Sequence, residues 1–270
     1  MSGRPKYLTR PALAALAALV VVGSATACTE SASAGGYVKD GALVTCTHLS
    51  YKPFQFTDDT GKVVGFDVDI VDLVAKELGR KQEIVDTPFE GITSGEDFNT
   101  GKCDLSAAGM TITDEREKVI RFSDPYFDAS QALLVKKGSG IADLAALSGK
   151  EVGVQQDTTG EVYANDNKDK YGFTVRQFED LPLLETAVRT GQISAAINDN
   201  GVLYDYVKAF PETEVTTEFD TGEQYGIGMK KDNAELANAV NKVLKEAKAS
   251  KKYDEIYKKW FGKAPGESAN

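Results

Sequence analysis

The sequence alternates segments typical of strands with segments typical of helices, and this rhythm constrains the fold more than any other feature. Ala42–Thr47 is a short apolar run that predicts a buried strand, and apolar residues then recur at helical spacing from Val68 to Leu78. Asp67 is placed to cap the start of this helix and Gly79 to end it. Glu83–Asp86 predicts the next strand. A strand, a covering helix and another strand in this order predict a parallel sheet.

The same rhythm restarts after a glycine-rich break at residues 137–140. Glu151–Gln155 predicts a strand, Leu181–Thr190 a helix that Gly191 ends, and Ile193–Ile197 a further strand. We therefore expect an α/β protein with two lobes, each built on a mainly parallel sheet flanked by helices.

The N-terminus has the pattern of an export signal followed by a lipid attachment site. Basic residues precede an unbroken apolar run at 12–22, which is too short to span a membrane as a helix. Small residues then lead to Cys28, as in a bacterial lipobox, although Ala25 stands where that pattern usually has Leu. We expect residues 1–27 to be a signal peptide, Cys28 to be lipidated and residues 28–37 to be a flexible tether. The alternative is ordinary signal cleavage nearby, with Cys28 incidental.

The charge and the missing motifs exclude several classes of protein. The formal net charge is -10, so nucleic acid is not expected as a partner, because phosphates need a basic surface. The sequence has no phosphate-binding G-x-x-x-x-G-K-[ST] loop, which excludes the ATPase of a transporter. It has no G-x-S-x-G elbow, and its single histidine leaves little room for a Ser-His-Asp triad. No cluster of His and Cys has metal-ligand spacing, so we expect neither a metal nor another cofactor.

Two further cysteines, Cys46 and Cys103, lie at the ends of predicted strands. An oxidising compartment would permit a disulfide between them. Nothing in the sequence sets the distance between their Cα atoms, and we expect two buried thiols rather than a bridge.

A set of motifs stands in order along the chain: SYKPFQF at 50–56, GFDVD at 65–69, AGMTITDER at 108–116, FSDPY at 122–126, VGVQ at 152–155 and KWFG at 259–262. Their order and spacing resemble those of the amino-acid-binding proteins of ABC importers, solute-binding protein family 3, over roughly Leu43 to Gly262.

The resemblance implies a two-lobe periplasmic-binding-protein fold of type II, in which the lobes close over a ligand by hinge bending. Lobe 1 would comprise residues 38–128 plus 221–263, and lobe 2 residues 132–220. The chain would cross between them near 127–131 and 219–225.

The resemblance also implies how a ligand carboxylate would be held. Arg116 would offer two parallel donors, which a lysine cannot do. Thr111 would add a hydroxyl or backbone N–H, and Thr159 a backbone N–H at a helix N-terminus. The alternative for Arg116 is a surface arginine beside the acidic residues of its own helix.

For the ligand ammonium, the resemblance implies the carboxylate of Asp199 and the carbonyl of Ala108 or Gly109. An ammonium in a closed cleft needs a charged acceptor. The alternative for Asp199 is a helix cap, because Asp is a favoured capping residue.

The ligand side chain would lie between Tyr51 and Phe89, although either ring could equally be core packing. His48 stands where relatives that bind basic or polar ligands often have Asp, which makes a lysine or arginine ligand less expected; a His held within its own loop is the alternative. Asp157, where the family usually has Gly, would favour cations if it faced the pocket. Gln155 could serve an amide.

The sequence therefore predicts an extracytoplasmic binding protein, not an enzyme, that captures a polar amino acid, nominally glutamine, for an ABC-importer permease. It would be a monomer, lipid-anchored to the outer face of the cytoplasmic membrane. One alternative is a cyclohexadienyl dehydratase acting on prephenate or arogenate, with His48 or Glu90 as general acid. The other is a sensor whose closure signals to a partner.

Overall fold

The computed structural model describes residues 36–266 of the chain. The predicted signal peptide, Cys28 and most of the predicted tether lie outside the described residues. None of the helices in the described part has the length and apolarity needed to cross a membrane.

Two five-stranded sheets organise the described residues. The strands are, in chain order, β1 (Ala42–Thr47), β2 (Phe56–Thr57), β3 (Val63–Val64), β4 (Lys81–Asp86), β5 (Leu105–Ser106), β6 (Ile120–Phe122), β7 (Phe127–Lys136), β8 (Glu151–Gln155), β9 (Thr174–Phe178), β10 (Ala195–Asp199), β11 (Thr213–Tyr225) and β12 (Gly228–Lys230). The α-helices are α1 (Phe66–Glu77), α2 (Phe89–Thr93), α3 (Glu96–Asn99), α4 (Asp114–Glu117), α5 (Thr159–Tyr171), α6 (Leu181–Thr190), α7 (Asn200–Ala209), α8 (Ala234–Ala249) and α9 (Lys252–Phe261). A 3₁₀ turn covers Leu144–Leu147.

Each sheet joins parallel strands to antiparallel ones. The first has the order β4-β1-β5-β12-β6, in which β1 is parallel to both neighbours and β12 is antiparallel to both of its own. The second has the order β11-β7-β10-β8-β9, with β8 parallel and β7 antiparallel to their neighbours. We call the first sheet with helices α1–α4, α8 and α9 the first lobe, and the second sheet with helices α5–α7 the second lobe. The restarting rhythm of the sequence predicted this pair of α/β lobes, and the structure confirms it.

Strands β7 and β11 carry the chain from the first sheet to the second and back. They pair side by side from Phe127 and Tyr225 at one end to Lys136 and Thr213 at the other. Their register shifts between Phe219 and Glu223, where residues 220–222 bulge out of the ladder. A bulge of this kind bends its strand and changes the direction in which the neighbouring side chains point.

A cluster of aromatic rings packs the first lobe onto these two strands. The ring of Phe54 is fully buried, with its centroid 4.9 Å from that of Phe127 and 5.2 Å from that of Tyr225. On the other side it approaches Gly201 of α7, where a Cβ atom would lie 3.1 Å from the ring. Burying a ring of this size contributes roughly 1.5–3 kcal/mol. The lobes therefore meet through a close apolar contact.

Asp67 does not cap α1, so the sequence prediction was wrong. The residue before the helix is Gly65, and no side chain caps the first turn. The Asp67 carboxylate is fully buried, where it accepts hydrogen bonds from Gly109 N at 2.8 Å and from Tyr126 Oη at 2.7 Å. Burial raises its pKa to about 6. Through these long-range hydrogen bonds Asp67 holds the loop that contains Gly109, and it does not cap the end of the helix.

The expectation of two free thiols was also wrong, because Cys46 and Cys103 form a disulfide with their Cα atoms 5.6 Å apart. This separation lies within the usual range for a disulfide. Cys46 lies on β1, and Cys103 lies just before β5, which pairs in parallel with β1 through Cys46 and Ser106. The pairing of these strands brings together cysteines that are distant in the sequence.

Candidate functional site

A cleft between the two lobes brings the predicted site residues together. It is lined by His48, Tyr51, Gln55, Phe89, Ala108, Gly109, Thr111 and Arg116 of the first lobe and by Gln155, Thr158, Thr159 and Asp199 of the second. All of the predicted ligand contacts are among these residues. The lobes lie close together here, and the cavity between these side chains has a volume of only about 10 Å³.

Arg116 is buried in the cleft and is not a surface arginine. It belongs to the short helix α4, whose first turn is capped by Thr113. Its Nη1 donates to the Thr111 carbonyl at 2.9 Å, and its Nη2 donates to the carbonyl of Asp157, in the second lobe, at 2.8 Å. Burial lowers the pKa of Arg116, but a guanidinium keeps its charge in proteins. The cleft therefore has a fixed cation whose contacts join both lobes.

The backbone of Asp157 explains why a glycine suits this position. Its φ is 62°, in the left-handed region that Gly adopts most readily and Asp tolerates. This conformation accompanies the hydrogen bond from Arg116 to its carbonyl. Its side chain accepts from Gln156 Nε2 and lines a neighbouring groove rather than the cleft. The sequence predicted a preference for cationic ligands only if the Asp157 side chain faced the pocket. It does not face the pocket, so this reason for a preference is absent.

Asp199 places a buried carboxylate at the end of β10. It precedes α7, but its side chain makes no capping hydrogen bond, so the alternative role does not apply. Instead Gln131 Nε2 donates to it at 2.5 Å, Tyr51 Oη lies 2.8 Å from Oδ2, and Tyr225 Oη also donates to it. Burial first, and then the charge of Glu223, raise the pKa of Asp199 to about 6. Above that pH the cleft holds a buried negative charge.

His48 presents a hydrogen-bond acceptor to the cleft. Its Nδ1 lies 3.0 Å from the carbonyl oxygen of Thr87. Because a carbonyl can only accept, Nδ1 carries the hydrogen and Nε2 of the neutral ring is left with a lone pair. Nε2 is buried and has no hydrogen-bond partner in the described part of the chain.

Tyr51 and Phe89 form walls of the cleft. Gly109 has a φ of 55°, and a Cβ atom there would lie 2.9 Å from the Tyr51 ring, so only glycine allows this packing. The ring of Phe89 lies 5.3 Å from the guanidinium carbon of Arg116 and 6.3 Å from the ring of His48. Both aromatic residues therefore contact other residues that line the cleft.

Thr111 and Thr159 face each other across the cleft. Thr159 is the first residue of α5, whose first turn is capped by the Thr158 side chain, so its backbone N–H lies at a helix N-terminus. The two hydroxyl oxygens are 3.4 Å apart.

Three polar residues that hydrogen-bond to residues of the cleft were missed by the sequence reasoning: Gln131, Glu223 and Tyr225. They lie on β7 and β11, and Gln131 and Tyr225 are fully buried. Gln131 lies on β7 between the partly buried Ser130 and the buried apolar run Ala132–Val135. A buried amide in such a strand was the available signal, since buried polar groups are retained where they have partners.

Within residues 36–266, no three His, Cys, Asp or Glu side chains come close enough together to hold a metal ion.

Comparison with known proteins places this geometry in a family. The model of the bacterial extracellular solute-binding proteins, family 3, matches residues 43–263. The chain is 37% identical over 214 residues to the ABC transporter glutamine-binding protein of Bacillus subtilis, covering 77% of this chain and 76% of that one. It is 32% identical over 270 residues to the probable histidine-binding protein of Neisseria gonorrhoeae, covering 92% and 97%. The solved structure of an ancestral arginine-binding protein bound to arginine matches with a TM-score of 0.78 and 42% identity, over 82% of this chain and 99% of that one. These relatives are named as binding proteins and not as enzymes. The chain belongs to the bacterial extracellular solute-binding proteins of family 3.

Proposed function

We propose that this protein is the extracytoplasmic amino-acid-binding component of an ABC importer. The observation that carries the proposal is that Arg116 and Asp199, which lie in different lobes, line one cleft. A free amino acid has one negative and one positive group, and burying either without a partner is costly. A guanidinium and a carboxylate that face one cleft match both groups at once. The names of the relatives support an amino acid as the ligand.

In the proposed complex, the ligand carboxylate binds the Arg116 guanidinium and the backbone N–H groups of Thr111 and Thr159. The ligand ammonium binds the Asp199 carboxylate and the carbonyl of Gly109 or of its neighbour Ala108. Each charged end then has charge-assisted hydrogen bonds, which are stronger than neutral ones.

The ligand side chain then lies between Tyr51 and Phe89 and points towards His48. In the neutral form of His48, Nε2 is an acceptor without a partner, so it favours a side chain that donates, such as the amide of glutamine. The carboxylate of an acidic side chain would face a second acceptor, which is unfavourable. Glutamine is therefore the proposed first choice among polar amino acids.

A thermal-shift screen across the amino acids at neutral pH tests the proposed function. A ligand that binds only the folded state, at one hundred times its Kd, adds about 2.7 kcal/mol to the free energy of unfolding. We expect glutamine to raise the melting temperature most and acidic amino acids least, with calorimetry confirming a single site. The des-amino and des-carboxy analogues of the best ligand are the controls. A screen in which no amino acid raises the melting temperature would refute the proposal.

Replacing His48 by Asp should shift the preference towards cationic ligands. The substitution replaces a neutral acceptor by a negative charge, which pairs with a guanidinium or an ammonium. We expect the affinity for arginine, relative to that for glutamine, to rise by about tenfold. His48→Asn is the matched control, because it changes the ring without adding charge. An unchanged ratio of the two affinities in calorimetry would place His48 outside the side-chain site.

Ligand binding should weaken as the pH falls below about 6, the pKa of Asp199 in the ligand-free protein. Below that pH Asp199 is protonated, and the ammonium must displace its proton. We expect a constant Kd above pH 7 and a rise of up to about tenfold per pH unit below the pKa. Calorimetry of wild type and Asp199→Asn measures this. The variant should bind weakly with little pH dependence; a variant that keeps the full pH dependence would assign the effect to another group, such as Asp67.

Delivery to a permease and anchoring to the membrane complete the proposal. The protein would be a monomer whose lobes, residues 38–128 plus 221–263 and residues 132–220, close by bending at β7 and β11. Lipidation of Cys28 would hold it at the outer face of the cytoplasmic membrane. Uptake of radiolabelled glutamine by cells with and without the gene tests delivery. Equal uptake would favour a sensor that reports the ligand to another partner.

The dehydratase alternative needs a general acid next to the substrate. Of the two candidates, Glu90 is exposed and does not line the cleft. His48 lines the cleft with its Nδ1 beside the Thr87 carbonyl, and within residues 36–266 no carboxylate bonds to its ring. Incubation with prephenate and with arogenate tests the alternative, and formation of an aromatic product would overturn the binding-protein assignment.

A further inference from the structure

Glu223 lies where β11 returns to the first lobe, immediately after the bulge at residues 220–222. Phe219 pairs with Gln131 and Glu223 with Ala129, so the bulge inserts extra residues into β11 alone. Gly222, within it, has a φ of 63°. The ladder resumes at Glu223, whose side chain reaches Thr111, Gln131 and Thr159.

One oxygen of this carboxylate joins the two lobes. Oε2 accepts from Thr111 Oγ1, in the first lobe, at 2.8 Å and from Thr159 Oγ1, in the second, at 2.7 Å. The hydroxyl hydrogens are thus directed to Glu223, which leaves the backbone N–H groups of the same two residues for a ligand. Opening the cleft must separate the two hydroxyls, so an open form keeps at most one of these hydrogen bonds.

Placing the Glu223 carboxylate close to that of Asp199 costs electrostatic energy, which the surrounding hydrogen bonds offset. Gln131 Nε2 lies 3.2 Å from both oxygens of Glu223 and 2.5 Å from Asp199 Oδ1, so its amide stands between two like charges. Gln131 is fully buried, and its Oε1 has no partner in the described residues, so the amide is oriented by what its Nε2 contacts: the two carboxylates and the Thr159 hydroxyl, 3.3 Å away. Repulsion from Glu223 also helps to raise the pKa of Asp199. An arrangement this unfavourable for the charges has to be compensated by the hydrogen bonds that it makes.

We propose that Glu223 is a positioning residue that joins Thr111 to Thr159 and stabilises the closed arrangement of the lobes. It aligns the two threonines for the ligand carboxylate, so this part of its role rests on the proposed function, but its effect on closure does not. Hydrogen bonds to a charged acceptor contribute enough that losing one shifts such an equilibrium by about tenfold or more.

The test compares Glu223→Gln with Glu218→Gln. Glu218 lies on the same strand, and its carboxylate accepts from Asn200 and Tyr204, both on α7 of the second lobe. Glu218→Gln is thus the same chemical change at a carboxylate whose partners lie in one lobe. Spin labels at positions 115 and 166, which are exposed on opposite sides of the groove beside the cleft, report the distance between the lobes. Azide-bearing residues attach the labels, so that the cysteines stay intact.

Without ligand, we expect Glu223→Gln to reduce the ratio of closed to open molecules about tenfold, while Glu218→Gln matches the wild type. With glutamine, stopped-flow kinetics should show faster dissociation from Glu223→Gln and an unchanged association rate. Equal closed populations in the wild type and Glu223→Gln, including none in either, would overturn the proposal. If Glu223→Gln fails to fold, Thr159→Val removes one of the two donors and gives the same measurement. If no amino acid changes the distance in the wild type, the proposed function fails, whereas the comparison without ligand still decides the role of Glu223.

Discussion

Replacing Arg116 by alanine should weaken amino-acid binding severely while the protein stays folded. The ligand carboxylate would enter a closed cleft without its paired donors. Removing one partner of a buried, hydrogen-bonded charge pair costs about 2–5 kcal/mol, so we expect the affinity to fall by roughly 30-fold to a few thousand-fold. Arg116 is itself buried, with an exposure of 9%, so surface water cannot easily take the place of its guanidinium beside the ligand carboxylate.

The fold should survive because little of it depends on this side chain. Arg116 lies on a helix of one turn, and the Thr113 cap accepts from its backbone N–H, which the alanine variant keeps. Calorimetry with the best ligand of the screen measures the effect. Arg121→Ala is the matched control, because Arg121 lies in the same lobe and donates to the carbonyl of Lys231, away from the cleft. If Arg116→Ala bound with a Kd within threefold of the wild type, Arg116 would have no role in ligand capture.

Removing the disulfide should cost about 4 kcal/mol of the free energy of unfolding. The bridge joins residues 57 positions apart, and a cross-link stabilises mainly by restricting the unfolded chain, with a contribution of about 3 kcal/mol for a 15-residue loop and 4.7 kcal/mol for a 100-residue loop. Cys46→Ala with Cys103→Ala removes the bridge with small changes in volume. Both sites are buried in the first lobe, so the native state gains no exposed polar group.

Urea unfolding of the double variant, and of the wild type with and without a reducing agent, measures this difference. The reduced wild type should unfold at nearly the same urea concentration as the double variant. Cys28→Ala is the control, because the third cysteine takes no part in the bridge, and its unfolding should still depend on the reducing agent. A wild-type midpoint that is insensitive to reduction would show that the bridge contributes nothing.

Elements that depend on local chemistry were predicted closely. Strands β1 and β8 and helix α6 have the predicted bounds. For α6, Asp180 caps the first turn and Gly191 adopts the left-handed conformation at the end. Each of these signals lies within a few residues of the element that it defines. Such signals can be interpreted without knowing the rest of the fold.

The candidate site was predicted only where a motif carried the information. Arg116 and Asp199 were named from the resemblance, and the structure brings both to the cleft, but the roles proposed for them remain to be tested. Asp67 was interpreted as a cap because Asp near a helix start usually is one; its actual partners, Gly109 and Tyr126, are far away in the sequence. Glu223 and Gln131 were missed for the same reason, because their significance lies in contacts between strands and lobes. Local patterns contain no information about such partners.

The position of β12 in the first sheet sets an order for assembly. This strand lies between β5 and β6, although the whole second lobe precedes it in the chain. Gly228 pairs with Ser106 on one side and Phe122 on the other, so the facing edges of β5 and β6 have no partner until synthesis has passed the second lobe. The strands of the second sheet, in contrast, follow one another in the chain without another lobe between them, although β7 waits for β10 and β11 before it pairs. Unpaired strand edges invite association between chains, and pairing between distant segments is slow. The facing edges of β5 and β6 are therefore open to association with other chains until β12 inserts between them.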